Sequence, residues 1–227
     1  MARQVSPLAH VDASAELADG VVVEAGAWVG PGTVVGAGSV LQAGAVVGRG
    51  HVPGENAATV IGARCTIASG ATVYHDVVLG EGVRVWHGAV LLRHVRVGDG
   101  TSIGVNSCIV NDVVIGRGCS IHGQCQVGDF SRIGDQVFIG PGFLSVSDIA
   151  LSFARPQIRP DFRGVDIGDR ARIGARVLAY PDSKVGCETV VGAGSAIRGE
   201  LLPRVLYLGD PIRAVRKVRP EELLAAD

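Results

Sequence analysis

The amino-acid sequence predicts an all-β fold, a parallel β-helix built from six-residue units. Leading aliphatic residues recur every six positions, the residue after each leader is usually Gly, and the fourth residue after it is usually small or β-branched. This period is neither the period of about 3.6 residues of a helix nor the alternation of a half-buried strand. Two strand residues, a turn and a small inward residue fit a flat-sided coil with three units per turn.

The composition agrees with such a coil. Hydrophobic residues make up 47% of the 227 residues, aromatic residues only 4%, and Gly supplies 33 residues. A chain of this length fits one domain, or one domain with a small appendage. We therefore expect a thin, repetitive core of small aliphatic side chains, with Gly in the turns.

The repeat falls into three blocks. The first runs over residues 11–47, the second resumes at 61–139 after a two-residue slip near residues 53–56, and the third covers 167–197. Each leader is expected to stack on the leader eighteen residues away, at the strand spacing of about 4.8 Å. Cys65, Cys119 and Cys125 fall in the small inward positions, and we interpret them as packing residues.

Two segments break the repeat. An inserted loop, residues 145–166, carries Arg155, Arg159 and Arg163, which either hold a nucleotide diphosphate or solubilise the loop. The C-terminal tail, residues 202–227, contains a predicted short helix over residues 220–226 with Pro in its first turn. The predicted organisation is thus a β-helix domain over residues 1–201, interrupted by the loop, and a tail.

Charge, hydropathy and cysteine content exclude several classes. The net charge of −1 leaves no basic footprint for nucleic acid. No apolar run approaches the roughly 18 to 20 residues of a membrane span, and the first ten residues lack an apolar signal core, so we expect a cytoplasmic protein without membrane contact. Five Cys without a CxxC pair favour neither a disulfide framework nor a zinc ribbon.

Residues eighteen apart share a face of the coil, so the sequence can be mapped onto three faces. Units that start at Leu79, Val97, Ile115 and Ile133 are plain and Gly-rich, which predicts a structural face. A second face carries hydrogen-bonding side chains on three successive coils, and these form either an acceptor site or a polar subunit contact. Its members are Trp86, His87, Asn106, His122 and Gln124.

The remaining face carries charged and amide side chains in two columns. We interpret them as a surface or interface ladder of ion pairs and hydrogen bonds, with a nucleotide or sugar contact as the alternative. The columns hold His75, Arg93, Asn111 and Asp129, and beside them Asp76, His94 and Asp112.

More than twenty such units make the chain similar to the hexapeptide-repeat acyltransferases. The resemblance implies a left-handed coil, although parallel crossovers are normally right-handed. It also implies a homotrimer, with acyl-CoA in the groove between neighbouring subunits.

Shorter motifs resemble the N-acetyltransferases that act on nucleotide-linked amino sugars. They are Arg84-Val85-Trp86-His87, Gly104-Val105-Asn106, Asn111-Asp112 and Gly140-Pro141-Gly142. The resemblance places Asn106 near the thioester and the sugar amine. We expect Asn106, His122 and His87 to be catalytic. The expected substrate-binding residues are Trp86, Gln124, Asn111, Arg155 and Arg159.

The run from Ser120 to Ser131 also resembles sugar O-acetyltransferases with a catalytic His. Their His aligns with Gly123, whereas this chain has His122 one residue earlier. An amine with a pKa near neutrality needs a general base less than a hydroxyl does. Direct attack of an amine on the thioester is therefore expected, and an O-acetyltransferase with His122 as general base is the alternative.

The C-terminal motifs resemble the part of the family that binds acetyl-CoA, or another acyl-CoA. These motifs are Val191–Ile197 and Gly209-Asp210-Pro211-Ile212-Arg213. The resemblance implies backbone contacts to pantetheine and Arg contacts to the phosphates, for which guanidinium groups are suited. The expected cofactor-binding residues are Ala175, Ala193, Arg198, Pro211, Arg213 and Arg216.

Other classes remain open at this point. A γ-type carbonic anhydrase uses three His to hold a metal, but His87, His94 and His122 do not reproduce that family's close pair, and no metal is expected. A non-catalytic scaffold and a succinyltransferase of amino-acid biosynthesis are further alternatives.

Overall fold

In a computed structural model the chain forms a three-sided parallel β-helix, which matches the predicted left-handed hexapeptide-repeat coil. The structure describes residues 2–50, 58–150, 158–159, 161–219 and 223. These residues contain no α-helix. They accordingly include no helix long and apolar enough to cross a membrane.

Most strands are two residues long, because a unit of six leaves the rest to the turn. In chain order they are β1 Gln4–Val5, β2 His10–Val11, β3 Glu16–Leu17, β4 Val22–Val23, β5 Trp28–Val29, β6 Val34–Val35, β7 Val40–Leu41, β8 Val46–Arg49, β9 Val60–Ile61, β10 Thr66–Ile67, β11 Thr72–Tyr74, β12 Val78–Leu79, β13 Arg84–Val85, β14 Val90–Leu91, β15 Arg96–Val97, β16 Ser102–Ile103, β17 Cys108–Ile109, β18 Val114–Ile115, β19 Ser120–Ile121, β20 Gln126–Val127, β21 Arg132–Ile133, β22 Phe138–Ile139, β23 Leu144–Ser145, β24 Asp166–Ile167, β25 Arg172–Ile173, β26 Leu178–Ala179, β27 Lys184–Val185, β28 Val190–Val191, β29 Ala196–Ile197, β30 Glu200–Leu201, β31 Val205–Leu208 and β32 Arg213–Lys217.

Every third strand joins the same sheet. The first sheet starts with β1 and has twelve strands, whereas the second and third start with β2 and β3 and have ten strands each. The parallel register pairs Val85 with Ile103 and Ile103 with Ile121, as the eighteen-residue spacing predicts. We call the turns from the first to the second sheet the first corner, those from the second to the third the second corner, and those that return to the first sheet the third corner.

The leaders form the core. Ile103, Ile109 and Ile115 are at most 2% exposed, and Phe143 is the largest fully buried side chain among the described residues. Cys65, Cys119 and Cys125 point inward and are buried, which confirms their packing role. Burial raises the pKa of these three thiols, so they are protonated and unreactive near neutral pH.

Gly is required where successive coils approach closely. A Cβ atom on Gly104 would lie 2.3 Å from the carbonyl carbon of His122 and 2.5 Å from the nitrogen of Gly123. No real Cβ makes such a contact, so the coil spacing excludes a side chain in this conformation. This explains why Gly follows so many leaders.

The insertion lies where the sequence predicts it, after Ser145 on the second corner. In its described part, Asp148 and Phe162 form an antiparallel bridge, and the Arg163 N–H donates to the Ser147 carbonyl at 2.9 Å. The register then resumes with Ile133 beside Ile167. That offset of 34 residues exceeds the normal 18 by 16.

At both ends the structure extends the recognised repeat, and the first strand falls inside the predicted domain 1–201. The coil starts at β1, one unit before residue 11, and the tail begins with β31, which continues the first sheet in parallel. β32 then turns back antiparallel to β31. The predicted helix over residues 220–226 lies outside the described residues except for Leu223.

Ion pairs link neighbouring coils on the third corner, on the face that the sequence predicts to be structural. Arg117 pairs with Asp135 at 3.2 Å and Arg204 with Glu188 at 2.7 Å. The backbone N–H of Arg117 donates to Asp135 and holds the pKa of that carboxyl below its usual value. The Arg117–Asp135 pair is exposed and contributes a modest free energy, whereas the pair with Arg204 involves the buried Glu188.

Candidate active site

The first corner aligns the candidate residues through a backbone ladder. Asn106 and Gln124 occupy the left-handed turn position, with φ of 54° and 60°. The Asn106 N–H donates to the His87 carbonyl at 2.9 Å, and the Gln124 N–H donates to the Val105 carbonyl at 2.8 Å. Because each coil repeats this bond, Asn106 and Gln124 lie one above the other, as the eighteen-residue map predicts.

Asn106 is exposed and lies against Gly88 of the preceding coil. A Cβ atom on Gly88 would stand only 2.3 Å from the Asn106 Oδ1 atom. The absence of a side chain at Gly88 therefore provides the space that the Asn106 carboxamide occupies. This close approach holds the amide over the turn that also contains His87.

Trp86 and His87 lie on the coil before Asn106. The Trp86 Nε1–H donates to the Ser102 hydroxyl at 2.8 Å, which fixes the indole, yet 36% of the residue stays exposed. The two rings are 6.3 Å apart and tilted by 47°. Trp86 thus offers an anchored aromatic surface beside an exposed imidazole.

His122 lies two coils above Trp86, and Phe138 packs against it. The ring centroids are 4.9 Å apart in an edge-to-face arrangement. Both side chains are exposed, Phe138 by 38%. Phe138 was missed in the sequence because its unit otherwise resembles every other repeat.

The first corner differs from the other two in charge. Its turn positions from Trp86 to Gly194 contain no Asp or Glu, whereas each of the other corners carries several carboxylates. Ala175 and Ala193 lie on this corner, three and four coils beyond Asn106. A corner without carboxylates suits an anionic ligand that extends along several coils.

Arg176 is a basic residue on the same corner that the sequence reasoning missed. It has a φ of 53°, it is exposed, and its Cγ lies close to Gly142 of the preceding coil. The insertion places Arg176 34 residues after Gly142, so the eighteen-residue map does not align the two. Subtracting the inserted residues from the map would have revealed it.

Several predicted residues lie elsewhere. Asn111 and Arg198 are on the second corner, so within one chain they are not part of the Asn106 cluster. Asn111 donates from Nδ2 to Asp129 at 3.1 Å. The Arg198 guanidinium lies 3.6 Å from the centre of the Tyr180 ring and donates to its hydroxyl at 2.7 Å.

The remaining predicted binding residues are near the C-terminal end or in the insertion. Pro211 lies between β31 and β32, and Arg213 and Arg216 are exposed on β32, at the edge of the first sheet. Arg159 is exposed in the insertion, whereas Arg155 lies outside the described residues.

Within the part of the chain that the structure describes, no three His, Cys, Asp or Glu side chains are arranged so that they could hold a metal ion. His87, His94 and His122 are distributed over two corners. The carbonic anhydrase alternative therefore has no ligand set among these residues.

Comparison with known proteins identifies the repeat. Residues 58–93 match the family model "Bacterial transferase hexapeptide (six repeats)". Among curated proteins, the chain is 26% identical over 92 residues to galactoside O-acetyltransferase of Escherichia coli, covering 37% of this chain and 45% of the relative. It is 32% identical over 74 residues to the putative lipopolysaccharide biosynthesis O-acetyl transferase WbbJ of the same organism, covering 30% and 38%. These matches span less than half of each relative.

Solved structures share the fold over nearly the whole chain. UDP-N-acetylglucosamine O-acyltransferase (LpxA) of Moraxella catarrhalis superposes with a TM-score of 0.67 at 20% identity, covering 93% of this chain and 73% of that one. AntD, an N-acyltransferase of Bacillus cereus in complex with dTDP and 3-hydroxybutyryl-CoA, gives 0.51 at 18% identity, covering 71% and 84%. At these identities the likeness concerns the fold. The chain thus has the left-handed parallel β-helix fold, and a stretch of it matches the hexapeptide-repeat family model.

Proposed function

We propose that the chain transfers an acyl group from acyl-CoA to the amine of a nucleotide-linked amino sugar, at the first corner. The observation that carries this proposal is the combination of exposed, non-acidic polar side chains around Asn106 with a carboxylate-free corner that continues past Ala193. Acetyl-CoA is the expected donor.

The reaction needs an unprotonated amine, a polarised thioester carbonyl and a thiol leaving group. The amine nitrogen attacks the carbonyl carbon, a C–N bond forms, and the C–S bond breaks. The ammonium proton leaves, and the sulfur departs as a thiolate whose conjugate thiol has a pKa of about 8.5. Asn106 provides an amide N–H for the thioester oxygen and an amide oxygen for the amine. His87 and His122 are exposed nearby and provide the proton acceptor.

The acyl-CoA is expected to lie along the first corner. The backbone at Ala175 and Ala193 flanks the pantetheine, and Arg176 supplies a cation beside it. Pro211, Arg213 and Arg216 of the terminal hairpin bind the phosphates, and Arg198 reaches them only from the second corner. A CoA thioester bound to AntD, which shares the fold, supports this assignment.

For the acceptor, Trp86 offers an aromatic face and Gln124 an exposed amide next to Asn106. Structural neighbours named for UDP-N-acetylglucosamine and in complex with dTDP support a nucleotide-linked sugar. Arg155 and Arg159 are proposed to bind its diphosphate.

We also propose a homotrimer, in which the second corner of one subunit, with Asn111, faces the first corner of its neighbour. The exposed apolar residues on and beside the first corner, Val105, Phe138 and Leu144, would be covered by such a contact. A cytoplasmic location completes the proposal, since all five Cys are free.

A hydroxyl acceptor is the second candidate. The two curated relatives are O-acetyltransferases, and the exposed His122, held at its ring edge by Phe138, is the general base that a hydroxyl requires. In this case Asn106 polarises the thioester and His122 removes the hydroxyl proton.

The test is transfer from acetyl-CoA to paired acceptors, a nucleotide-linked amino sugar and its hydroxyl analogue, measured as release of free CoA thiol. The proposal predicts turnover of the amine and a fall in kcat of about 10²-fold or more for Asn106→Ala at unchanged Tm. Gln136→Ala, on the third corner, is the matched control and keeps full activity. Transfer only to the hydroxyl, abolished by His122→Ala, would establish the second candidate. No transfer to either acceptor would refute both.

A further inference from the structure

A groove on the second corner stands apart from the proposed acyl-transfer corner. It has a volume of about 320 Å³ and is lined by Phe130, Phe162 and the polar side chains of three successive coils. Phe162 belongs to the described part of the insertion, so the insertion forms one wall of the groove. Both phenyl rings are about half exposed, Phe130 by 47% and Phe162 by 49%.

Phe130 occupies a backbone position that an apolar residue normally avoids. Its φ is 61°, and it is one of thirteen non-Gly residues with positive φ among the described residues. The other twelve are polar or charged, as the left-handed region favours. A bulky apolar side chain in this conformation, exposed to solvent, costs stability on both counts, and such outliers cluster at binding sites.

The polar wall of the groove is fixed by hydrogen bonds between coils. The Asp129 carboxylate accepts from Asn111 Nδ2 at 3.1 Å and from the Ser147 hydroxyl at 2.9 Å. His94 lies between Asp76 and Asp112, with each nitrogen 3.1 Å from a carboxylate oxygen. Each Asp129 oxygen has a second lone pair, so the wall still offers oriented acceptors.

The chemistry of this groove selects among ligands. Asp112 and Asp129 line it together with Arg93 and His94, so its charged groups are of both signs rather than the mainly cationic set that suits a phosphate. Apolar faces of aromatic rings next to fixed amide and carboxylate groups suit a ring that has an apolar C–H face and a hydroxyl-bearing edge. A pyranose has both.

We propose that the groove between Phe130 and Phe162 binds a pyranose ring. The phenyl rings contact its C–H face, and Asn111 and Asp129 bind its hydroxyl groups. The groove lies on a different corner from the acyl transfer proposed above, and its assignment rests on that proposed function only where the pyranose is the acceptor's sugar. The pyranose comes either from a separate glycan or from the sugar of the acceptor, presented by the first corner of a neighbouring subunit.

The test is saturation-transfer NMR of the full chain without acyl-CoA. The probes are methyl β-D-galactopyranoside and N-acetylglucosamine, with sorbitol as an open-chain polyol that lacks a rigid C–H face. We expect transfer to the ring C–H protons of at least one pyranoside, with a Kd of about 1–10 mM, and no saturable transfer to sorbitol. Phe162→Ala and Asn111→Ala should each raise that Kd by at least about five-fold.

Gln136→Ala is the matched control, because it alters an exposed turn residue of positive φ on the third corner. Its Kd should equal that of the wild type. Phe130→Gly should lose pyranoside binding while its Tm stays within a few degrees, because relief of the left-handed strain offsets the lost packing. Absence of pyranoside binding, equal binding by Phe162→Ala, or equal transfer to sorbitol would overturn the proposal. A changed oligomeric state of Phe162→Ala in gel filtration would also overturn it, because the rings would then cover a subunit contact.

A second arm separates the two sources of the pyranose. If Asn111→Ala and Phe162→Ala raise the KM for the acceptor as much as they raise the Kd, the groove binds the acceptor sugar. If the KM is unchanged while the Kd rises, the groove binds a separate glycan. The NMR binding experiment contains no acyl-CoA, so its result can be interpreted even if the proposed acyl transfer does not occur.

Discussion

Gly104→Ala tests the claim that coil spacing fixes the geometry of the first corner. A Cβ atom at this position would stand 2.3 Å from the carbonyl carbon of His122 and 2.5 Å from the nitrogen of Gly123. An ordinary contact begins at 3.4 Å, so the two coils would have to separate by about 1 Å. The obstacle is backbone, which no rotamer change can move.

The cost follows from overpacking. Added atoms that force a backbone shift in a packed core cost about 1–3 kcal/mol, and Gly104 belongs at the upper end because coils lie on both sides. For a chain of this size, about 3 kcal/mol lowers the Tm by roughly 6–12 °C. Gly128→Ala is the matched control, because its nearest atom, the Ser145 carbonyl oxygen, is 3.0 Å away and needs to move by only a few tenths of an ångström. The lower entropy of its unfolded chain offsets that cost by about 0.4–1 kcal/mol.

The assay is thermal unfolding followed by circular dichroism, with urea denaturation as a second measure. We expect Gly104→Ala to lose at least about 6 °C and Gly128→Ala less than about 4 °C. Acyl transfer by Gly104→Ala should also fall, since Asn106 and His122 are carried by the displaced coils. Equal changes in Tm for the two variants would refute the reasoning from coil spacing.

Four further predictions concern the core and the surface. Phe143→Ala should lower the free energy of unfolding by about 3–5 kcal/mol in urea denaturation, because Phe143 is fully buried; a loss under about 1 kcal/mol would mean that its site collapses. Iodoacetamide should modify the exposed Cys187 first and Cys65 only on unfolding, as mass spectrometry can show. Burial raises the pKa of the Cys65 thiol in the folded state, so stability should be complete below the ordinary thiol pKa of about 8.5 and fall as the pH rises further; a flat profile would contradict this. Arg117→Ala should cost less than about 1 kcal/mol, because its pair with Asp135 is exposed, and should leave most of the loss of stability below about pH 4 in place, since the backbone N–H of residue 117, which lowers the pKa of Asp135 most, is kept.

The coil itself could be predicted because nearly every six-residue unit repeats the same pattern of an aliphatic leader and a small inward residue. Leaders such as Ile109 are buried, and small residues such as Cys119 point inward, so burial and sequence period coincide. The first unit lies inside the predicted domain 1–201, but it was not recognised as part of the repeat because no preceding coil covers it. Its leader Val5 is 45% exposed and lacks the following Gly. The terminal hairpin was not predicted, because its antiparallel strands do not follow the six-residue period.

The candidate site could be predicted only in part. Asn106 and Gln124 were placed correctly above one another because no insertion separates them. Arg176 was missed because the insertion shifts its register. Asn111 was expected to bind substrate by resemblance, while the eighteen-residue map already put it on the charged face, and the structure places it on the second corner.

The location of the thioester tests the central claim most directly. A crystal structure of the protein soaked with acetyl-CoA would show it. We predict that the thioester carbon lies beside Asn106 on the first corner, with the pantetheine chain running past Ala175 and Ala193 toward the terminal hairpin. Acetyl-CoA bound at the second or third corner, with Asn106 untouched, would contradict the proposal that this coil transfers acyl groups at its first corner.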